Sequence, residues 1–278
     1  MPDLAAPYIQ RGIAEILLLA VIAGVLGTWV VLRRLPFYTH AIGTATFPGL
    51  VVAGPWGVPA QLTALVCAVG FGGVLERLQR TRRIDPDAAI GLLLVAALAI
   101  GVILASDVYH SGAGVDRLLF GSLVALKPSD IWLTAAAAAG ALACDGGLRR
   151  SWLATGFDAD GARATGVRTA AADRTLLLAV ALAVVVALDA VGALLVTVIL
   201  TVPAATVRLF EPSLRTQQFA TFALTAVEGL AAIWVADAFN VGPGPALAVL
   251  GALVYGLAAL KGNVKGTVPF RFARGQTP

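Results

Sequence analysis

The sequence has little charge for its length. Only 13% of its 278 residues are Asp, Glu, Lys or Arg, whereas soluble domains carry about 25%. Hydrophobic residues make up 59% of the chain, and the mean hydropathy is +0.87. Because so few polar side chains cannot cover a water-facing surface, the composition excludes a soluble globular protein. It predicts a polytopic membrane protein.

Residues that carry chemistry are also scarce. The chain has two histidines and two cysteines. Cys67 and Cys144 lie in apolar runs, which is typical of small core residues rather than of a disulfide or a metal site. The sequence contains no Walker phosphate-binding loop, no HExxH zinc motif and no GxSxG nucleophile motif. We therefore expect no P-loop binding of ATP by this chain and no catalytic centre.

Apolar runs are what the sequence has in quantity. Several reach or approach the ~17–25 residues of a membrane-spanning helix, and their continuous rather than alternating pattern disfavours a β-barrel. We predict an all-α bundle of about nine spans, with residues 1–278 as one transmembrane domain. A further stretch, Leu118–Leu126, is too brief to span and is predicted to be re-entrant or interfacial. The nine segments are 14–32, 41–54, 59–75, 88–105, 130–147, 174–190, 192–210, 217–237 and 245–260.

Lys and Arg are distributed unevenly among the loops between these segments. If the N-terminus lies outside, 17 of the 20 basic residues fall on the inner side. This is the pattern of the positive-inside rule, and it predicts an outer N-terminus and an inner C-terminus. It also accounts for the net charge of +4 without a nucleic-acid partner.

The stretch Arg33–Gly49 joins the first two apolar segments. It contains His40 and ends in a helix-breaking pair, Pro48-Gly49. A neutral imidazole is a common ligand for zinc, iron or manganese-like ions. The alternative is a histidine that makes a hydrogen bond at a helix start, and the sequence leaves both open. We expect any translocation path to pass here.

Other ionisable residues lie at membrane depth, where charges are costly and point to function. Glu228 lies near the middle of the eighth segment and must face a partner or a wet cavity, so it is a candidate for the path. Asp189 lies between the sixth and seventh segments. It is a second candidate, although capping of the next helix is the favoured interpretation. Glu15 and Asp237 are expected to be solvated near the outer interface.

One inner loop, residues 148–173, contains a helix signal of its own. Asp158 can cap a short helix over Ala159–Ala164, and Gly166 lies where a C-terminal cap belongs. In a chain without a soluble domain, such a helix suits docking to a partner. The alternative is an ordinary interfacial linker.

Four stretches carry a family resemblance, and they occur in order over most of the chain. With them, the sequence resembles the membrane permeases of ABC importers for divalent metals, the zinc and manganese uptake type. The stretches are Arg33-Arg34 through Pro48-Gly49; Leu118–Leu123; Phe157–Val167 with Ala187–Val196 and Pro203–Thr206; and Gly242–Pro245.

The resemblance implies a type II importer in a bacterial plasma membrane. It implies two permease copies, two cytoplasmic ABC ATPase subunits that bind ATP, and an extracellular solute-binding protein or lipoprotein that delivers the ion. This chain would supply the path and hold no permanent cofactor. The structural signature would be Arg33, Arg34, Pro48, Gly49 and Pro203. The coupling helix inserted into the ATPase would use Phe157, Asp158, Ala159, Asp160, Arg163 and Gly166.

The chain departs from the family pattern in the path. Typical members carry an aspartate where this chain has His40 and a histidine where it has Thr44. These positions are four residues apart and share one helical face. The resemblance therefore implies that His40 and Thr44 stand in for the family's transient metal ligands. Because one of the two is only a hydroxyl, the cargo is either a divalent ion such as Mn, Zn or Fe, or a metal chelate.

Three other readings compete with a metal-ion permease. An importer of the related siderophore or cobalamin kind is one, but the chain is short for it. A membrane enzyme acting on lipid would need clustered carboxylates, or a nucleophile and base at one depth, and the sequence shows neither. A stand-alone channel or secondary carrier would have no need of a docking helix.

Overall fold

The described part of the protein is built from helices. The computed structural model describes residues 7–80, 85–109, 115–123, 126–210 and 212–261. Within these ranges every regular element is helical, so the predicted all-α class is confirmed there. Residues 124–125 of the predicted re-entrant stretch and the basic residues beyond 261 lie outside the described residues.

The helices follow one another with short connections. A π-helical turn, Ala23–Gly27, joins the first two into one continuous helix, and a second such turn, Leu104–Val108, ends the sixth. In chain order the described helices are α1 (Pro7–Ile22), α2 (Thr28–Leu32), α3 (Pro36–Ala45), α4 (Phe47–Trp56), α5 (Ala60–Arg80), α6 (Pro86–Ile103), α7 (Val115–Phe120), α8 (Pro128–Phe157), α9 (Ala159–Ala164), α10 (Thr169–Val191), α11 (Val196–Arg208), α12 (Leu214–Phe239) and α13 (Pro243–Lys261).

Six helices of the described chain are long and apolar enough to cross a membrane. Two shorter apolar helices, Ala60–Leu75 and Val196–Arg208, coincide with the third and seventh predicted segments. The second predicted segment is the pair α3 and α4. The structure thus supports a multi-span bundle, and the count of nine spans stays a prediction. The six are Ile9–Leu32, Asp87–Val108, Pro128–Phe157, Thr169–Val191, Leu214–Phe239 and Pro243–Lys261.

The continuous helix α1–α2 and helix α10 form the centre of the bundle. Within the most apolar window of each, 72% of residues are buried in Ile9–Leu32 and 50% in Thr169–Val191. The other four long helices bury only 22–28% of theirs, so they present most of their apolar surface outward, as lipid-facing helices do. The centre is therefore where polar side chains are sheltered from lipid.

Candidate functional site

Helices α3 and α4 are one helix broken in its middle. α3 ends at Ala45, and α4 begins at Phe47 with Pro48 in its first turn. Proline has no backbone N–H, so the hydrogen-bond ladder cannot continue through Pro48. The sequence predicted this break. The helix nevertheless begins at Pro36, before the predicted start at residue 41, because a proline also suits its first turn.

Gly43 allows α3 to lie against the turn that precedes α11. A Cβ atom at Gly43 would lie 2.7 Å from the Ala193 carbonyl oxygen and 2.9 Å from Val196 Cγ1, so no larger residue fits. One turn earlier, His40 is half-buried, and its Nδ1 lies 3.5 Å from Thr197 Oγ1 of α11. The imidazole therefore faces another helix inside the bundle.

Thr44 is almost fully buried on the same helix, with 1% of its surface exposed. Its hydroxyl donates to the His40 carbonyl oxygen over 3.1 Å. The Thr44 hydroxyl proton is thus used in a hydrogen bond within α3, and only the lone pairs of the hydroxyl oxygen remain to bind an ion. Of the two predicted path positions on α3, His40 offers the stronger ligand.

Asp189 lies in the last turn of α10 and accepts a hydrogen bond from Gln61 Nε2 at the start of α5. It does not cap α11, whose N-cap residue is Leu195 with no side-chain capping bond. The favoured sequence interpretation was therefore wrong. The helix α10 runs two residues beyond Asp189, so the carboxylate projects from a helix rather than from the turn before the next one.

Two further carboxylates lie deep in the bundle. Glu228 of α12 is 4% exposed, and its Oε1 has no hydrogen-bond partner among the described residues. Its Oε2 lies beside Gly251 of α13, 3.7 Å from where a Cβ would stand. Glu15 of α1 is 1% exposed and accepts a 2.7 Å hydrogen bond from Thr134 Oγ1. The prediction of a solvated Glu15 was wrong, because α8 covers it.

The candidate path residues are spread along the bundle. Within the described ranges, no group of three or more His, Cys, Asp or Glu side chains is placed to hold a metal ion. His40 faces α11, Asp189 bonds to α5 and Glu228 faces α13. Such separate single contacts suit transient passage of an ion rather than tight binding.

Two of the stretches that carried the resemblance bind each other through their backbones. Ser122 N–H donates to the Asp189 carbonyl over 3.0 Å, and the N–H groups of Ala193 and Leu194 donate to Leu118 and Leu119 over 3.1 Å. This set of contacts, between 118–122 and 189–194, is called the interlock below. These hydrogen bonds satisfy backbone N–H and C=O groups of non-helical segments inside the bundle, which lipid could not do.

Glycines make the interlock possible. Gly121 and Gly192 both have positive φ angles, of 71° and 86°. A Cβ at Gly121 would lie 2.5 Å from the Ala190 carbonyl oxygen, and one at Gly192 would overlap Leu119. Sequence analysis did not predict that these two segments meet, because it treated 118–126 as a re-entrant or interfacial stretch and 188–192 as a turn, each by itself.

The predicted short helix in the loop is confirmed as α9. Asp158 accepts hydrogen bonds from Asp160 N–H and Gly161 N–H over 3.2 and 2.9 Å. Gly166, with φ +83°, follows the C-cap, and its N–H and that of Val167 donate back into the last turn over 3.0 and 2.9 Å. This is the Schellman arrangement.

The surface around α9 is accessible. Phe157, just before its cap, is 87% exposed. Asp160 and Arg163 form a 3.3 Å ion pair on the outer face, whereas Ala162 is buried against the bundle. An exposed aromatic beside a doubly capped helix gives a rigid contact surface. We call this side of the bundle the α9 end.

Arg33 ties the end of α2 to the helices on both sides of α9. Its guanidinium donates to the Trp152 carbonyl over 3.1 Å and to Thr155 Oγ1 over 2.8 Å. It also pairs with Asp173 of α10 at 2.5 Å. The Trp29 and Trp152 rings pack edge to face with centroids 5.4 Å apart. The base of α9 is thus fastened to the central helix.

The other signature residues have separate roles. Arg34 is exposed and has a left-handed backbone with φ 57°, so it turns the chain from α2 into α3. Gly49 lets α4 approach α5, since a Cβ there would lie 2.5 Å from the Thr63 carbonyl oxygen. Pro203 is buried inside α11, where it removes one backbone hydrogen bond.

A buried polar network was missed by the sequence reasoning. Asp145 of α8 is 3% exposed. It accepts hydrogen bonds from Trp29 Nε1 over 2.7 Å and from Gln218 Nε2 over 3.1 Å, and it pairs with Arg149. A signal was available, because an aspartate in an apolar span is expected to be functional or paired.

A family model described as the ABC 3 transport family matches residues 5–262. The chain belongs to this family. The match extends over all the described helices, and it confirms the resemblance drawn from the four stretches.

Relatives of this ABC 3 chain include manganese permeases. The chain is 28% identical over 277 residues to the manganese transport system membrane protein MntC of Halalkalibacterium halodurans, covering 98% of this chain and 93% of that protein. It is 27% identical over 248 residues to the manganese import system permease protein ScaB of Streptococcus gordonii, covering 89% of each.

A solved structure shares the fold. PsaBC from Streptococcus pneumoniae in complex with Fab superposes with a TM-score of 0.83 at 25% identity, and the match covers 91% of both chains. The helical bundle with its broken helix and interlock is therefore an ABC 3 permease fold. The roles of His40, Thr44, Asp189 and Glu228 remain predictions.

Proposed function

We propose that this chain is the permease subunit of an ATP-driven importer for divalent metal ions such as Mn, Zn or Fe. The observation that carries the proposal is α9, an exposed and doubly capped helix on a membrane bundle that the ABC 3 family model matches over residues 5–262. The manganese permeases among its relatives support the metal class. The whole chain acts as one transmembrane permease domain.

The path runs along α3. His40 offers an imidazole that faces Thr197, and Thr44 contributes oxygen lone pairs one turn further on. Asp189 and Glu228 supply carboxylates at other depths. Each contact is weak by itself, which lets an ion leave as readily as it enters.

Coupling to ATP takes place at the α9 end. A separate ABC ATPase subunit binds and hydrolyses ATP, and this chain is not itself an enzyme. The ATPase binds the α9 surface, through contacts with Phe157, Asp158, Ala159, Asp160, Arg163 and Gly166. Its movement reaches α2 through Arg33 and Trp152, and a short turn at Arg34 connects α2 to the broken helix. Closure of the ATPase thereby shifts the walls of the path.

The proposal includes two further partners. A second permease copy completes the importer as a homodimer, and an extracellular solute-binding protein or lipoprotein delivers the ion to the end opposite α9. The chain lies in the bacterial plasma membrane with its N-terminus outside and its C-terminus in the cytoplasm, since this arrangement places most basic residues inside.

A metal chelate is the second candidate cargo. It is favoured by the pairing of Thr44 with the His40 carbonyl, which leaves one strong ligand on α3 instead of two. A chelate brings its own ligands and needs none from the path.

Co-purification with the ATPase tests the coupling surface. Phe157→Ala and Asp158→Ala should each reduce the ATPase recovered with the permease by about tenfold, because the first removes the exposed aromatic and the second uncaps α9. Phe239→Ala is the matched control. The Phe239 side chain is also exposed, at 74%, but it lies at the C-terminal end of α12, away from the α9 end.

Two outcomes would contradict the proposal. One is metal uptake at the full rate by the chain in liposomes without any ATPase, which would assign it to carriers or channels. The other is an equal loss of ATPase in the Phe239→Ala variant, which would mean that the α9 surface has no special role.

A further inference from the structure

Thr197 of α11 uses its hydroxyl differently from the threonines near it in α3 and α11. Thr44, Thr201 and Thr206 each donate a hydrogen bond to the carbonyl oxygen four residues earlier in their own helix, a common arrangement for a helical threonine. The Thr197 hydroxyl instead lies 3.5 Å from His40 Nδ1, on another helix. Thr197 is therefore directed across the contact between α3 and α11.

The backbones of the two helices hold this contact in place. A Cβ at Gly43 would meet the Ala193 carbonyl oxygen and Val196 Cγ1, so α3 and the start of α11 touch one turn from His40. Thr197 is the second residue of α11. Because close-packed backbones leave little room for a shift, the imidazole and the hydroxyl are kept near each other.

The two ring nitrogens of His40 have different surroundings. Nδ1 faces the Thr197 hydroxyl, whereas Nε2 makes no hydrogen bond among the described residues. A neutral imidazole has a proton on one nitrogen and a lone pair on the other, and the hydrogen bond of one nitrogen decides which is which. A metal ion binds the nitrogen that carries the lone pair.

The direction of the bond to Thr197 therefore decides what His40 can do. If the hydroxyl donates to Nδ1, the proton of the ring is on Nε2, and that nitrogen has no lone pair for an ion. If the hydroxyl oxygen accepts the Nδ1 proton, Nε2 keeps its lone pair. The second arrangement is the one that metal-binding histidines show, since they almost always donate their other N–H to a fixed partner.

We propose that Thr197 is a positioning residue of the metal path. Its hydroxyl oxygen accepts the Nδ1 proton of His40, which fixes the ring and leaves the Nε2 lone pair for the passing ion. The inference rests on the proposed function, because it assumes that His40 contacts the metal. A carboxylate would need no such partner, since both of its oxygens are acceptors. An imidazole needs its proton held on the far nitrogen, and α11 supplies the group that holds it.

NMR measures the tautomer of His40 directly. The chain has two histidines, so His110→Asn leaves His40 as the single histidine when the protein is purified with a tag that contains none. The chain is labelled with ¹⁵N-histidine and placed in nanodiscs, where a protonated ring nitrogen and a bare one have distinct resonances. The proton should be on Nδ1, and millimolar Zn²⁺ should shift the Nε2 resonance.

Two substitutions at Thr197 test its role. Thr197→Val removes the hydroxyl and keeps the shape of the side chain. Part of the population should then carry the proton on Nε2, and the affinity for Zn²⁺ should fall by about tenfold, as for loss of other partners of metal-binding histidines. Zinc uptake by the importer assembled with its ATPase should fall with it. Thr197→Ser returns an oxygen to the same place and should restore the tautomer, the affinity and the uptake.

Thr206→Val is the matched control. Thr206 is another threonine of α11, with 3% of its surface exposed, and its hydroxyl donates to the Val202 carbonyl oxygen of its own helix. This variant makes the same chemical change without touching His40, so the tautomer and the response to Zn²⁺ should be those of the unaltered chain. Equal unfolding temperatures of the two valine variants show that the losses at Thr197 do not come from unfolding.

Three results would overturn the proposal. They are a proton on Nε2 in the unaltered chain, a Zn²⁺ response at Nδ1 instead of Nε2, and an unchanged Zn²⁺ response in Thr197→Val. Each is measured on the chain without its ATPase and is independent of transport. A chain with the expected tautomer and Zn²⁺ response that imports no metal with its ATPase would support the role of Thr197 and contradict the proposed function.

Discussion

Gly121 and Gly192 are the residues whose replacement the backbone tolerates least. Gly192→Ala adds a methyl group that overlaps Leu119 and forces an L-residue into φ 86°. We expect it to lower the free energy of unfolding by at least about 2 kcal/mol. Thermal unfolding of the purified chain in detergent measures the change.

Gly140→Ala is the control for that substitution. Gly140 lies inside α8, and a Cβ there would meet nothing within 4 Å. Alanine is a better helix former, so this variant should unfold at the same or a slightly higher temperature. Equal behaviour of the two variants would mean that the interlock contributes nothing to stability.

Replacement of His40 tests whether the translocation path passes along α3 as predicted. His40→Ala should lower uptake of Mn, Zn or Fe by about tenfold, which corresponds to ~1.4 kcal/mol, because it removes the strongest ligand on α3. ATPase recovery should be unchanged, since His40 lies inside the bundle and away from α9. Uptake of radioactive or fluorescently reported metal into cells measures the effect.

Tyr38→Phe provides the comparison on the same helix. It removes a hydroxyl that bonds to the Leu177 carbonyl at 3.4 Å, yet it leaves His40 in place, so uptake should stay normal. Unaltered uptake of all three metals by His40→Ala would remove this histidine from the path. It would then be a structural partner of Thr197.

Among the helices, α8 is held to the centre by Asp145. Asp145→Ala leaves Trp29 Nε1, Gln218 and the Arg149 charge without their shared acceptor. Removing one partner of a buried pair costs about 3–5 kcal/mol, so the variant should unfold much more easily in denaturant. Asp160→Ala, which breaks an exposed pair, should change stability by less than about 1 kcal/mol. A small effect at Asp145 would mean that other contacts, such as that of Thr134 with Glu15, are enough to fix α8.

The sequence predicted those helical features that depend on neighbouring residues. Asp158 and Gly166 specify the two ends of α9 because cap bonds join residues within a few positions. Pro48 likewise predicts the break between α3 and α4. These local signals were sufficient to predict α9 as a helix and to support the family resemblance.

Features that depend on distant residues were not predictable in the same way. Glu15 looked solvated because its cover, Thr134 of α8, is far away in sequence. Asp189 looked like a cap because its partner, Gln61, lies on another helix. The Asp145 pair resembles an ordinary i, i+4 surface pair, and only its position in an apolar span distinguishes it.

The whole bundle is predicted to have one orientation in the membrane. In a chain with Cys67 and Cys144 replaced by alanine, the Val241→Cys variant should react in intact cells with a maleimide that cannot cross membranes. The Arg168→Cys variant should react only after permeabilisation. Both positions are exposed and lie at opposite ends of the bundle. The reverse pattern would invert the topology and place α9 outside, where no ATPase could reach it.

The interlock also determines the order in which segments of the protein can reach their final positions during synthesis. Leu119 and Leu194 are 75 residues apart, since 194 − 119 = 75, and synthesis proceeds at ~5–20 residues per second. For roughly 4–15 seconds after Leu119 leaves the ribosome, its carbonyl has no partner from Leu194. Hydrocarbon cannot supply one. The α7 segment must therefore wait at the membrane surface or in the translocon until α10 has been inserted, which makes it one of the last parts of the bundle to reach its place.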